Sequence, residues 1–67
     1  MNTIDRLVMM ANQIAANLMH EPDPIAATAE HIGLFWDPRM KSMVTQPNVD
    51  GLSPVAKAGI KLLTHTS

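Results

Sequence analysis

His31-Ile32-Gly33-Leu34-Phe35-Trp36-Asp37-Pro38-Arg39-Met40 is the stretch on which the fold turns. It holds the chain's one Phe and one Trp side by side, and the chain has no Tyr. Asp37-Pro38 follows at once and reads as a helix start. An Asp at the N-cap accepts hydrogen bonds from orphan backbone N–H groups. Proline just after it has its φ preset and lacks an N–H that is not needed there. One helix therefore ends near Trp36 and the next begins at Pro38, with no room for a loop. The result is a sharp corner at Trp36-Asp37-Pro38, with Arg39 just past the bend. The rest of the chain reads as scaffold for this corner.

Upstream, Ile4, Leu7, Val8, Ala11, Ile14, Ala15 and Leu18 recur at three and four residues, the spacing of one helix face. Asp5, Arg6, Asn12, Gln13, Asn17 and His20 fall opposite. Met10 and Met19 widen the stripe and Met9 lies among the polar residues. This predicts a first helix over about Thr3–Met19, capped by Asn2 or Thr3. Asp23-Pro24 is a second cap-plus-proline pair and opens a second helix. On it Ile25, Ala29, Ile32 and Trp36 share a stripe, with Phe35 at the margin beside Thr28 and His31. Ala27, Glu30 and Leu34 face away, so Leu34 is an apolar residue on the wet side.

Downstream of the corner, Met40, Met43 and Val44 form the apolar side of a helix of about two turns, with Arg39, Lys41 and Ser42 pointing elsewhere. Pro47 stops it. Gln46–Gly51 is a loop with a turn at Asp50-Gly51. Ser53-Pro54 opens a fourth helix, with Val55, Ala58, Gly59 and Leu62 on one face and Lys57 and Lys61 on the other. Gly59 weakens that helix by about 1 kcal/mol relative to Ala. Residues 64–67 read as a frayed tail. The expected fold is all-α: one domain over residues 1–67, a small bundle of about four short helices.

Composition narrows the function. The chain has 67 residues, a net charge of −1 and no Cys. A core of this size supplies at most about 3–5 kcal/mol without staples, and no disulfide or Cys-ligated metal can add to it. The balanced charge gives no field to attract nucleic acid or an anionic membrane. No apolar stretch approaches the roughly 20 residues of a membrane span. The first residues lack the basic region of a secretory signal. A soluble, cytoplasmic protein is expected. Apolar residues make up 46% and aromatics 3%, so the apolar content is Ala, Met, Ile, Leu and Val, which suits helices.

Catalytic signatures are missing. There is no G-x-S-x-G, no Gly-rich phosphate loop and no H-E-x-x-H. His31 beside Glu30 reads as a solvated helix face, since a metal site needs three or four ligands. Met40 and Met43 read as fillers of irregular apolar gaps rather than as a copper site, because no Cys or His joins them. Trp36 and Arg39 stand out. A lone Trp is usually the largest core residue of a small domain, and Trp and Arg are also enriched at interface hot spots. The residues alone point to a small helical interaction module.

Three blocks carry a resemblance: Ile4-Asp5-x-Leu7-Val8-x-Met10-Ala11-Asn12-x-Ile14, then Ala29-Glu30-His31-Ile32-x-x-Phe35-Trp36-Asp37-Pro38-Arg39-Met40, then Gly51-Leu52-Ser53-Pro54-Val55-x-x-Ala58. The chain resembles the delta subunit of cytoplasmic, NAD-dependent molybdenum formate dehydrogenases, most specifically over Phe35–Met40. It departs at Ala15-Ala16-Asn17-Leu18, where bulkier residues are usual. The resemblance implies a subunit with no cofactor of its own. It also implies a complex that oxidises formate to CO2 and reduces NAD+. In such complexes the alpha subunit holds molybdenum bis-pterin guanine dinucleotide and iron–sulfur clusters. The beta and gamma subunits hold FMN, further clusters and the NAD site. The delta chain would be a non-catalytic accessory piece docked on alpha, aiding assembly or stability. Leu34, Phe35, Trp36, Asp37, Pro38, Arg39 and Met40 are the expected corner-forming or partner-binding residues. Two other readings remain open. One is a transient chaperone-like factor for cofactor insertion into alpha. The other is a small helix-turn-helix DNA binder, for which Arg39 and Lys41 are a meagre basic patch.

Overall fold

Asn2 starts the first helix. Its side chain accepts from the Asp5 N–H at 2.8 Å, and Asp5 reaches back to the Asn2 N–H at 3.5 Å, a reciprocal box that satisfies two orphan donors. In the computed structural model, which describes residues 2–66 and the side chains of 2–64, this helix is α1, Thr3–Asn17. The other three start on the predicted cap-plus-proline pairs. They are α2 (Pro24–Phe35), α3 (Pro38–Val44) and α4 (Pro54–Thr66). Asp23 accepts from the Ala26 N–H at 3.1 Å, Asp37 from the Met40 N–H at 2.8 Å, and Ser53 from the Ala56 N–H at 3.3 Å. No strand occurs among the described residues. The fold is thus an all-α bundle of four helices. Most of the expected frayed tail at 64–67 lies outside the described side chains.

The core joins all four helices. Leu7, Ala11 and Ala15 of α1 meet Ile32 and Trp36 of the second arm, Val44 of α3, and Ala56 and Ile60 of α4. The Cα radius of gyration is 10.7 Å, against about 10.9 Å for a compact domain of this length. The helices therefore share one core rather than standing as separate hairpins. The most extensive helix packing is of α2 on α4, and Gly59 lets the two approach closely. A Cβ at Gly59 would sit 3.0 Å from Thr28 Cγ2 and 3.3 Å from the Ala29 backbone nitrogen.

That close approach corrects two expectations. Thr28, placed at the margin by periodicity, is fully buried, and its Oγ1 has no hydrogen-bond partner among the described residues. The buried stripe of α4 is Ala56, Gly59 and Ile60, with Leu63 half-buried. It is rotated from the expected Val55, Ala58, Gly59, Leu62: Gly59 is shared, Val55 and Ala58 are half-buried, with Val55 against the core, and Leu62 is exposed. The physical reason is that α4 is apolar nearly all round between its lysines, so packing on Thr28 chooses the face. Ile25 likewise falls outside the core and is exposed.

Asn12, expected on the polar side of α1, holds the long loop. Its Nδ2 donates to Gly51 O at 2.8 Å and its Oδ1 accepts from the Ser53 N–H at 2.7 Å. One side chain therefore satisfies both groups just before α4. The hydrogen-bonded turn of the loop lies at Gln46–Val49, where the Val49 N–H reaches Gln46 O at 3.3 Å. Gly51 has φ +91°, a left-handed conformation that favours glycine.

Candidate docking surface at the corner

Trp36 leaves the helix at φ −94° and ψ 138°, while its N–H still donates to Ile32 O at 3.0 Å. Asp37 stays extended at φ −75° and ψ 166°, as the residue before a proline prefers. Two residues thus turn the chain from α2 into α3. The bend is braced from the far side. Lys41 Nζ reaches back from α3 to donate to Gly33 O at 2.9 Å. That carbonyl lies in the last turn of α2, where helix carbonyls lack intrahelical partners and a cation suits the dipole. Lys41 was expected to point elsewhere. No local pattern reveals a contact eight residues away across a bend.

The end of α2 divides the apolar residues sharply. Trp36 is 5% exposed and belongs to the core, whereas Leu34 is 71% and Phe35 72% exposed. The Phe35 ring tilts against His31 with centroids 4.7 Å apart. Phe35 and His31 stand as a ridge between two shallow grooves. One is lined by Met10, Ile14, Trp36 and Met40; the other by Leu18, Ala27, Glu30 and Leu34. Exposed Met10 extends the apolar area onto α1.

Of the seven expected corner residues, Trp36, Asp37 and Pro38 therefore build the bend. Leu34, Phe35 and Arg39 face outward, and Met40 does both: it is half-buried against the core and lines the first groove. Arg39 is exposed and makes no ion pair or side-chain hydrogen bond among the described residues. His31 and Lys41 are the residues that the sequence did not assign to the site. His31 is legible afterwards as the i−4 neighbour of Phe35, the spacing at which helix side chains meet.

Singly exposed apolar residues are ordinary. Two adjacent ones at more than two-thirds exposure, on a braced bend between an apolar groove and one that also carries Glu21 and Glu30, are the pattern of a docking site. Among the described residues no three His, Cys, Asp or Glu side chains are grouped so as to hold a metal ion. Among the described residues no helix is long and apolar enough to cross a membrane.

No curated protein and no solved structure matches the chain. A family model described as the NADH-dependent formate dehydrogenase delta subunit FdsD matches residues 6–60. That span takes in α1 from its fourth residue on, the whole corner and the Ser53-Pro54 start of α4, and by it the chain belongs to the delta-subunit family of NADH-dependent formate dehydrogenases.

Proposed function

We propose that this delta chain is a non-catalytic accessory subunit that docks through its corner on the large alpha subunit of a cytoplasmic formate dehydrogenase and aids its assembly or stability. The observation that carries the reading is the outward pair Leu34 and Phe35 on the braced corner. Their burial against a partner would remove apolar surface from water at about 25 cal/mol per Å². Arg39, exposed in the first turn of α3, offers a planar fork suited to a carboxylate of that partner.

The complex would convert formate and NAD+ to CO2 and NADH. Its molybdenum bis-pterin guanine dinucleotide, iron–sulfur clusters, FMN and NAD site would sit on the alpha, beta and gamma subunits. The residues of this chain do not fit those groups. It has no Cys to ligate a cluster, no Gly-rich loop to cradle a nucleotide phosphate, and no three-ligand group among the described residues. A chain that binds only the folded partner raises that partner's stability by mass action, which is how a subunit without chemistry supports an enzyme.

The test is purification of the complex with Leu34→Ser/Phe35→Ser delta. Both side chains are exposed, so the fold should survive. Loss of delta from the purified complex is expected. Retention at the wild-type ratio would contradict docking through the corner. Stoichiometric co-purification of wild-type delta with the active enzyme supports a permanent subunit; delta present only on cofactor-free alpha would favour a transient insertion factor.

A further inference from the structure

A third groove, sharing no lining residue with the two at the corner, lies between α4 and the segment after α3. Its floor is apolar: Val44 and Ile60 are buried and Val49 and Leu52 half-buried. Lys57 and Lys61 stand on its wall, one helical turn apart and both exposed. Neither ammonium group has an ion pair or hydrogen bond among the described residues. No Asp or Glu lines the groove, and Asp50 of the same loop is exposed outside the lining. An apolar floor beside two cations with no ion pair among the described residues matches a segment that carries carboxylates next to an apolar side chain. On a helix, side chains four residues apart lie about 5–6 Å from one another at Cβ. Two acidic residues at alternate positions of an extended segment are spaced by about 6.6 Å and could meet both lysines.

We propose that this groove takes an acidic, apolar-bearing segment of a neighbouring subunit, held by Lys57 and Lys61. Delta would then have two docking surfaces of different chemistry, an apolar corner and a cationic groove, and would tie two stretches of its complex together. The inference rests on the reading of delta as a docked subunit.

Zero-length carbodiimide coupling on the intact purified complex tests it, because this reagent joins an amine only to a carboxylate already in contact. Lys57 and Lys61 should yield cross-links to Asp or Glu of another subunit. Lys57→Glu/Lys61→Glu should cut retention of delta at least about tenfold, the effect of losing roughly 1.4 kcal/mol, and Lys57→Gln/Lys61→Gln less. High salt should mimic the reversal. Circular dichroism of the variants confirms folding, since both side chains are exposed. If delta co-purifies yet these lysines couple only within their own chain or not at all, the groove proposal is overturned and corner docking stands. If wild-type delta is absent from the complex, both readings fall.

Discussion

Phe35 and Trp36 follow one another in the chain, yet Phe35 is 72% exposed and Trp36 5%. The helix end between them causes the split: Trp36 leaves α2 with extended backbone and drops into the core. Trp36→Ala should therefore act on stability. Its expected cost is about 3–5 kcal/mol, comparable to everything a core of this size supplies. A urea or thermal melt reads it, and a variant that melts like wild type would show that Trp36 is not a core residue. Arg39 belongs to the other side of the split. With no ion pair among the described residues, its fork is free for the partner. Arg39→Lys should weaken retention in the complex nearly as much as Arg39→Ala, because an ammonium cannot copy a bidentate contact. Full retention by the Lys variant would refute that geometry. The corner's inventory was legible residue by residue in Phe35–Met40. Lys41 and Asn12 were not, since their bonds span a bend and a separation of 39 residues.

Helix starts were legible because each carries local chemistry: Asn2 with Asp5, then Asp23-Pro24, Asp37-Pro38 and Ser53-Pro54. The face of α4 was not, because it is set by the neighbouring helix. Gly59 reads locally as a helix weakener, yet it is the point where α2 and α4 touch. Gly59→Ala should test this reversal. Propensity alone predicts a gain of about 1 kcal/mol. Overpacking against Thr28 and the Ala29 backbone should outweigh it, for a net loss of about 1–2 kcal/mol. Adding Thr28→Ala should recover part of that loss through coupling between touching residues. If Gly59→Ala melts higher than wild type, the helices are less closely packed than the distances state.

At the scale of the whole molecule, stability is thin. The helices contain 15, 12, 7 and 13 residues, at or below the roughly 12–15 that an isolated helix needs. No Cys is present to cross-link them. The one His–carboxylate contact found among the described residues, His20 Nε2 with Glu21 at 3.1 Å, is exposed and contributes little. The free chain should be helical and melt below about 60 °C, measured by circular dichroism. A cooperative transition far above that would mean the core needs no partner.

If delta docks without chemistry, formate turnover by each assembled complex should not depend on it. Formate-dependent NAD+ reduction is followed on complexes purified with wild-type delta and without delta, with the rate divided by the amount of intact complex. The expected result is less assembled complex without delta, and a nearly unchanged rate for each complex that does assemble. A large fall in that normalised rate, with metal and cluster loading equal in the two preparations, would contradict the account and place delta in the making of the active site.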